Sequence, residues 1–344
     1  MSNARTITDI AKRAGVGTAT VDRVLNGRSG VAPETAQRVL GAMSALGIAT
    51  LARGRPLKAL GFRLAFALPA TRSPLYDAID RQIAQLAGEF RHQYITEVAF
   101  RIDTGNSSAF ADALLKLADF DGVVLLAPDL PPIKLAINEL VRTGVHVVTL
   151  LSDIGGSLRA MHIGVDNRAA GRTAGLLISR IIGAARPAKV LLVSEATRYS
   201  AEIDRRVGFL QIMEERAPDI EIVRLLDLPD TDEAARAAVA AVLVRSGGAA
   251  TFAGLYHVGG ATAGVIRACH DAGVGPCFTA VAHDLTEGNK RLLAAGALSF
   301  ILGQDIATCT LYAAKAMLAL KENLRGPLIA APPKLEIITV ENLS

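Results

Sequence analysis

From residue 62 onward the chain repeats one unit: a short apolar run, then a longer stretch whose apolar residues return every three or four positions. Side chains alternate faces along a strand and return to one helix face every three to four residues, so the runs read as strands and the stretches as helices. Strands are predicted at Phe62–Leu68, Ile95–Arg101, Gly122–Ala127, His146–Leu151, Ala188–Val193, Ile220–Leu225, Phe252–His257 and Phe278–Ala282, with late ones at Leu298–Leu302 and Lys334–Thr339. Amphipathic helices between them include Tyr76–Phe90, Ala109–Leu117, Ala169–Ile182, Arg205–Arg216 and Glu233–Val244. Apolar strands alternating with helices predict an α/β fold of parallel sheets covered on both faces.

The first fifty residues follow another pattern, short helical groups broken by glycine. Thr8 is placed to cap a helix Asp9–Ala14, with Ile10, Ala11 and Ala14 on one face. Gly15 ends that helix where a left-handed residue is needed. A second helix runs from Thr18 to Leu25, turning Val21, Val24 and Leu25 inward, and Asn26-Gly27 closes it. A third starts near Pro33, a favoured first-turn residue, with the stripe Val39, Leu40, Met43 and Leu46. Three short helices with a glycine-bearing first turn make a helix-turn-helix. In that geometry the second helix enters the DNA major groove, bringing Thr18 and Ala19 to base edges and Arg23 one turn further on. Arginine pairs bidentately with guanine, while threonine and alanine methyls suit thymine.

Charge supports this reading. Residues 1–60 hold nine basic side chains against three acidic ones, a net of +6, whereas the whole chain carries +4, which leaves everything after residue 60 at −2. An excess confined to one segment is the footprint of a polyanion partner. At 344 residues, two or three domains are expected. The longest apolar runs, Val123–Pro128 and Val145–Leu151, are strand-sized, far short of the roughly 20 residues a spanning helix needs. Charges at Arg5, Asp9, Lys12 and Arg13 are unlike a signal peptide. Cys269, Cys277 and Cys309 lack metal-type spacing and read as reduced core thiols, so the expected compartment is the cytoplasm.

Thr8-Asp-Ile-Ala-Lys-Arg-Ala-Gly-Val-Gly-Thr-Ala-Thr-Val-Asp-Arg-Val-Leu-Asn-Gly27, followed by Val31 and Glu34-Thr-Ala-Gln-Arg-Val39, closely resembles the DNA-binding headpiece of the lactose-repressor (LacI) family over residues 6–48. The resemblance implies operator contacts from Thr8, Thr18, Ala19, Thr20, Asp22, Arg23, Asn26 and Arg28, with Arg23 on the base-reading position. Gly17 and Asp22 stand where the family usually has serine. Gly17 lacks a capping hydroxyl, and Asp22 either pairs with a nearby arginine or reads a cytosine amino group. The headpiece is expected to span residues 1–48 and a linker residues 49–60. In the family this linker folds on DNA into a hinge helix whose leucines wedge into the minor groove. That makes Leu51 and Leu57 wedge candidates, and Arg53 and Arg55 phosphate contacts. Gly54 and Pro56, poor residues inside a helix, leave a plain tether as the alternative.

The effector-binding domain is expected to span residues 61–344, of which residues 62–340 are similar to the periplasmic sugar-binding-protein fold that the family uses as its sensor. This implies two parallel-sheet subdomains of type I, about 61–160 plus 285–325 and about 161–284 plus 326–344, with a cleft between them. Ligands on such sheets collect at the carboxyl ends of strands, and at or near those ends this chain carries Arg72, Asp129, Ser152-Asp153, Arg159, Asp166-Asn167, Arg205, His257, His283-Asp284 and Gln304-Asp305. The resemblance assigns ligand contacts to Asp153, to Arg205 of the pattern Arg205-Arg-Val-Gly-Phe209, to Asp284 and to Gln304. His257 stands where many relatives carry asparagine. Arg159 and Asn167 are either ligand or hinge residues. So many hydrogen-bonding groups suit a hydroxylated ligand, because each buried hydroxyl must be paired. The chain has no Trp and 4% aromatic residues, so Tyr76 or Tyr256 would supply any stacking face. The effector is expected to be a sugar, polyol or sugar acid. No cofactor is expected, since Gly259-Gly260 and Gly264 do not fit the dinucleotide fingerprint. His257 and His283 would need a third ligand to hold a metal, and none is assigned.

The reading is therefore an effector-responsive regulator, a repressor of small-metabolite uptake or catabolism genes, which binds double-stranded operator DNA as a homodimer and has no membrane partner. A transport-associated binding protein is the first alternative; it would need an export signal. An enzyme is the second, without a nucleophile elbow, metal motif or phosphate loop to support it.

Overall fold

The computed structural model of the chain describes residues 7–25, 31–45, 62–71, 73–86, 95–183, 188–195, 198–229, 231–275, 278–322 and 331–343. Helices α1 (Ile7–Ala14), α2 (Thr18–Leu25) and α3 (Pro33–Ala45) form the N-terminal segment. Helix α1 begins at Ile7, so Thr8 lies inside its first turn instead of ahead of it as a cap, a shift within the usual spread of helix ends. Gly15 follows with φ +63°, a conformation open to glycine at little cost. Ile10, Ala11, Ala14, Val21, Val24, Ala36, Val39, Ala42 and Met43 share one buried core. The apolar spacing of the three helices is what turns these residues toward each other.

The described strands build two sheets. The first has the order β2-β1-β3-β4-β5, from β1 (Phe62–Pro69), β2 (Ile95–Ile102), β3 (Gly122–Leu125), β4 (His146–Leu150) and β5 (Met161–Ile163), all parallel. The second has the order β11-β10-β9-β8-β6-β7, from β6 (Lys189–Glu195), β7 (Glu221–Leu228), β8 (Phe252–His257), β9 (Thr279–His283), β10 (Phe300–Gln304) and β11 (Leu335–Ile338). Only the β10–β11 pair of these runs antiparallel.

Alternation along the strands explains the layers. In the first sheet Leu64, Phe66, Leu68, Val124 and Val148 face α4 (Pro74–Leu86) and α12 (Ile306–Lys321), while Ala65, Ala67, Val123, Leu125 and Val147 face α5 (Ser107–Leu115) and α6 (Pro131–Arg142). In the second, Val190, Leu192 and Tyr256 pack on α7 (Asn167–Ile182) and α8 (Ser200–Arg216). Leu191, Val193 and Leu255 pack on α9 (Asp232–Arg245) and α10 (Thr262–Asp271), and Leu293 of α11 (Glu287–Ala294) joins the same core. Both faces of both sheets are covered, which is why the strands read as unbroken apolar runs.

The chain crosses between sheets after β5, returns after β10 to lay α12 on the first sheet, and crosses again to β11. The expected change of subdomain at about 285 therefore moves to Gln304: α11 and β10 belong with the second sheet, and β5 with the first. The helices that open beyond the first two crossings are both capped by aspartate, α7 by Asp166 on the Ala169 N–H (2.9 Å) and α12 by Asp305 on the Thr308 N–H (3.0 Å).

Candidate functional site

Thr18, Ala19 and Arg23 are exposed on α2, and Thr8 is exposed on α1; Thr20 and Asp22 are half-buried. The Gly17 carbonyl accepts the N–H groups of Thr20 (3.0 Å) and Val21 (3.1 Å), which starts α2 with its N-terminal residues free of the headpiece core. Asn26, Arg28, Leu51, Arg53, Arg55 and Leu57 lie outside the described residues, as does Arg72 of the larger domain.

In the larger domain the carboxyl ends of the two sheets face each other. The Asp129 N–H after β3 donates to the Arg198 carbonyl after β6 (2.7 Å), and the Tyr76 hydroxyl of α4 lies 3.5 Å from that of Tyr199. Three non-glycine residues hold left-handed backbone here, Leu151 (φ 60°), Ala261 (φ 53°) and Asp284 (φ 66°), each close beyond a strand end. Such strain persists only where surrounding structure enforces it, and it collects at ligand sites and switches.

Around Asp284 the groups are fixed from several sides. Asn289 Nδ2 donates to the carbonyls of His283 (2.8 Å) and Asp284 (3.0 Å), holding the turn. Gln304 Nε2 donates to Asp284 Oδ1 (3.2 Å), which settles the orientation of the amide. Gln304 Oε1 is then left buried without a hydrogen-bond partner among the described residues. His257 is fully buried with Nε2 2.6 Å from the Gly260 carbonyl, so Nε2 carries the proton and Nδ1 is a bare acceptor, also without such a partner. Burial pushes the His257 imidazole down to about 4. Burial, with the nearby Arg205 and His257, likewise drives His283 far below the ordinary range.

Arg205 is not at a strand end: it lies in the second turn of α8, because the helix begins at Ser200 and not at Arg205. Its buried guanidinium donates through Nε to Asn167 Oδ1 (2.8 Å) and through a terminal nitrogen to the Val258 carbonyl (3.3 Å). Asn167 Nδ2 in turn reaches the carbonyls of Leu151 (3.4 Å) and Val165 (3.3 Å). Asn167 therefore joins Arg205 to the first crossover. Helices α7 and α8 touch backbone to backbone: a Cβ at Gly171 would stand 1.8 Å from the Arg205 carbonyl oxygen, and one at Gly208 2.1 Å from that of Arg168.

Several sequence candidates have partners inside the protein. Asp153 accepts a two-pronged ion pair from Arg159 and a hydrogen bond from Thr149 Oγ1 (2.8 Å). Burial works to raise the Asp153 carboxyl, yet these bonds hold it below the ordinary carboxylate range. His283 Nε2 is 2.7 Å from the Tyr256 hydroxyl, and the Tyr256 ring packs 4.7 Å from that of Phe209. Tyr256, fully buried, offers no ring face to a ligand. Tyr76 is half-buried and keeps the stacking role open. Among the described residues no group of three or more His, Cys, Asp or Glu gathers as metal ligands. No described helix is long and apolar enough to cross a membrane.

Sequence reasoning passed over Tyr199, Ser200 and Glu195. Glu195 accepts from the Gly260 N–H (2.8 Å) and ends β6 two residues beyond the predicted strand. The signal was present, a carboxylate one serine beyond an apolar run, the same that marked Asp153. Ser200 opens α8, whose apolar spacing extends back to Ala201.

Residues 64–326 match the model of the periplasmic binding protein domain family, and residues 6–49 match that of the bacterial regulatory proteins of the lacI family. The chain is a LacI-family protein with a periplasmic-binding-protein domain. Solved structures agree on the fold. The glucose-galactose binding protein GanP of Geobacillus stearothermophilus superposes with a TM-score of 0.71 at 17% identity, covering 82% of this chain and 99% of that one. The Caulobacter myo-inositol binding protein bound to myo-inositol gives 0.72 at 19%, covering 82% and 94%. A Bacteroides fragilis protein assigned as a LacI transcriptional regulator gives 0.70 at 17%, covering 82% and 98%. No curated protein sequence matches the chain. A LacI headpiece joined to a sugar-binding-protein fold is the make-up of a ligand-responsive regulator, and the two families are of regulator and binding-protein domains, not enzymes.

Proposed function

We propose that this LacI-family protein is a repressor of uptake or catabolism genes for a small polyhydroxylated metabolite, acting as a homodimer on a pseudo-palindromic operator. The dimer sets two α2 helices on successive major-groove half-sites, with Arg23 on guanine and Thr18 and Ala19 on neighbouring bases. Effector in the cleft contacts Arg205, Asp284, Gln304 and His257, with Tyr76 beneath a ring face, and shifts the two subdomains between DNA-competent and incompetent arrangements.

The observation that carries the ligand class is the pair of orphaned acceptors, Gln304 Oε1 and His257 Nδ1. A buried acceptor costs free energy until a donor meets it. Every sugar or polyol hydroxyl is a donor, and a sugar acid keeps its remaining hydroxyls but gives up one donor where the carboxylate stands. Polyols and neutral sugars therefore rank ahead of sugar acids, and glucose, galactose and myo-inositol, named with the fold neighbours, are natural first probes. A thermal-shift panel of neutral sugars, polyols and sugar acids tests this, since a ligand raises stability by mass action. The expected result is a shift with a neutral polyhydroxyl compound that Asp284→Ala removes. A shift with sugar acids alone would overturn the ligand class, and one that survives both Asp284→Ala and Arg205→Ala would overturn the site.

A further inference from the structure

Helix α8 has no cap of its own. Tyr199 occupies its N-cap position without a side-chain hydrogen bond, and first-turn N–H groups have no partner inside a helix. The N–H of Ala201 is instead met by Ser152 Oγ at 3.3 Å, a side chain of the other subdomain. Ser152 Oγ lies 3.2 Å from Ser200 Oγ, which donates to the Asp153 carbonyl at 2.6 Å. Each hydroxyl has one proton, so the direction of the chain is determined. Ala201 N–H donates to Ser152, Ser152 to Ser200, and Ser200 to the Asp153 carbonyl, an aligned series of the kind that strengthens each member.

The neighbouring residues do the same. The Arg198 carbonyl accepts the Asp129 N–H at 2.7 Å. Tyr199 packs against the core of the first subdomain and brings its hydroxyl 3.5 Å from that of Tyr76. Four consecutive residues, Arg198–Ala201, are thus tied to the loops after β3 and β4 and to α4, although the helix they open packs on the second sheet.

We propose that Arg198–Ala201 is a clasp that holds the cleft closed whether or not effector is present. Opening would release the Asp129 and Ala201 N–H groups and the serine chain together, so the bonds form and break as one unit. The clasp thereby sets the fraction of protein in the closed arrangement before any ligand arrives, and with it the apparent affinity for that ligand. This inference does not depend on which molecule the cleft binds.

Amide hydrogen exchange on the full chain without ligand tests it, because exchange reports local opening residue by residue. The Asp129 amide is expected to be protected in the wild type. Ser200→Ala removes the middle of the hydroxyl chain and should speed exchange at Asp129 by about tenfold, the factor expected from one lost hydrogen bond of ordinary strength. Asp129 is remote in sequence and makes no bond to the Ser200 side chain, so a merely local effect would leave it unchanged. Ser200→Thr keeps the hydroxyl and should keep the protection. Tyr199→Phe, which leaves the ring in place, should accelerate Asp129 in the same direction. Amides of Val124 and Leu192 in the two sheets should hold their wild-type rates throughout. A freely exchanging Asp129 in the wild type would overturn the clasp, as would an Asp129 indifferent to both Ser200→Ala and Tyr199→Phe. So would acceleration that appears equally at Val124 and Leu192, which is unfolding and not release.

Discussion

His283 marks the right place for the wrong reason, while His257 keeps its Nδ1 without a partner among the described residues. Both stand at strand ends, where ligand groups collect, yet both are interior: His257 donates to the Gly260 carbonyl and His283 pairs with the Tyr256 hydroxyl. Their pKa values lie below the 6.5 of an unfolded histidine, His257 at about 4. At pH values below 6.5 the unfolded chain therefore takes up protons that the folded one refuses. Stability should be flat with respect to these groups above pH 6.5 and fall as the pH drops toward 4. For His257 the full loss is on the order of 3 kcal/mol. Denaturant unfolding at pH 7.5 and pH 5 should register roughly 2 kcal/mol of that loss, and His257→Asn should flatten part of the slope. Arg205 belongs to the same scale. Its guanidinium is held by Asn167 and Val258, so Asn167→Ala should weaken effector binding by roughly tenfold with little change in DNA binding. Effector titrations and gel shifts on the same preparation separate the two.

Elements were legible where one rule governs a whole segment. The apolar runs locate the strands because both sheet faces are covered, and the glycine-broken groups locate α1 to α3 because a small bundle needs those buried positions. What escaped depended on the other subdomain. Strand β5 is three residues long and has no period to read. The start of α8 is hidden because its cap is Ser152, some fifty residues earlier in the chain. The assignment of β10 to the second sheet depends on its pairing with β9, which no local pattern encodes. The α7–α8 contact belongs here too. No local pattern gives its glycines a packing role, yet a Cβ at Gly208 would stand 2.1 Å from the Arg168 carbonyl oxygen. Gly208→Val should therefore force the helices apart and cost about 1–3 kcal/mol or more in a thermal or denaturant melt. Gly41→Ala, on α3 with nothing within 4 Å of the new Cβ, should be tolerated.

Across the whole molecule, charge and architecture divide the labour. The net +6 of residues 1–60 sits on the headpiece and linker, and the −2 of the remainder lies on the sensor. Binding to DNA should accordingly weaken steeply with salt, as counterions are released from each phosphate that is met. The sensor by itself should show no such dependence. Its crossings after β5, after β10 and on to β11 are the places where ligand occupancy can alter subdomain geometry, and so the spacing of two headpieces in a dimer. The most direct test joins both halves. Fluorescence anisotropy of a labelled duplex from the promoter beside its own gene would be followed against protein, with and without the compound that wins the thermal-shift panel. Salt-sensitive binding that Arg23→Ala abolishes, and that the compound shifts in the wild type but not in Arg205→Ala, is the predicted result. Binding indifferent to Arg23→Ala, or equal with and without the compound, would contradict a headpiece governed by the cleft.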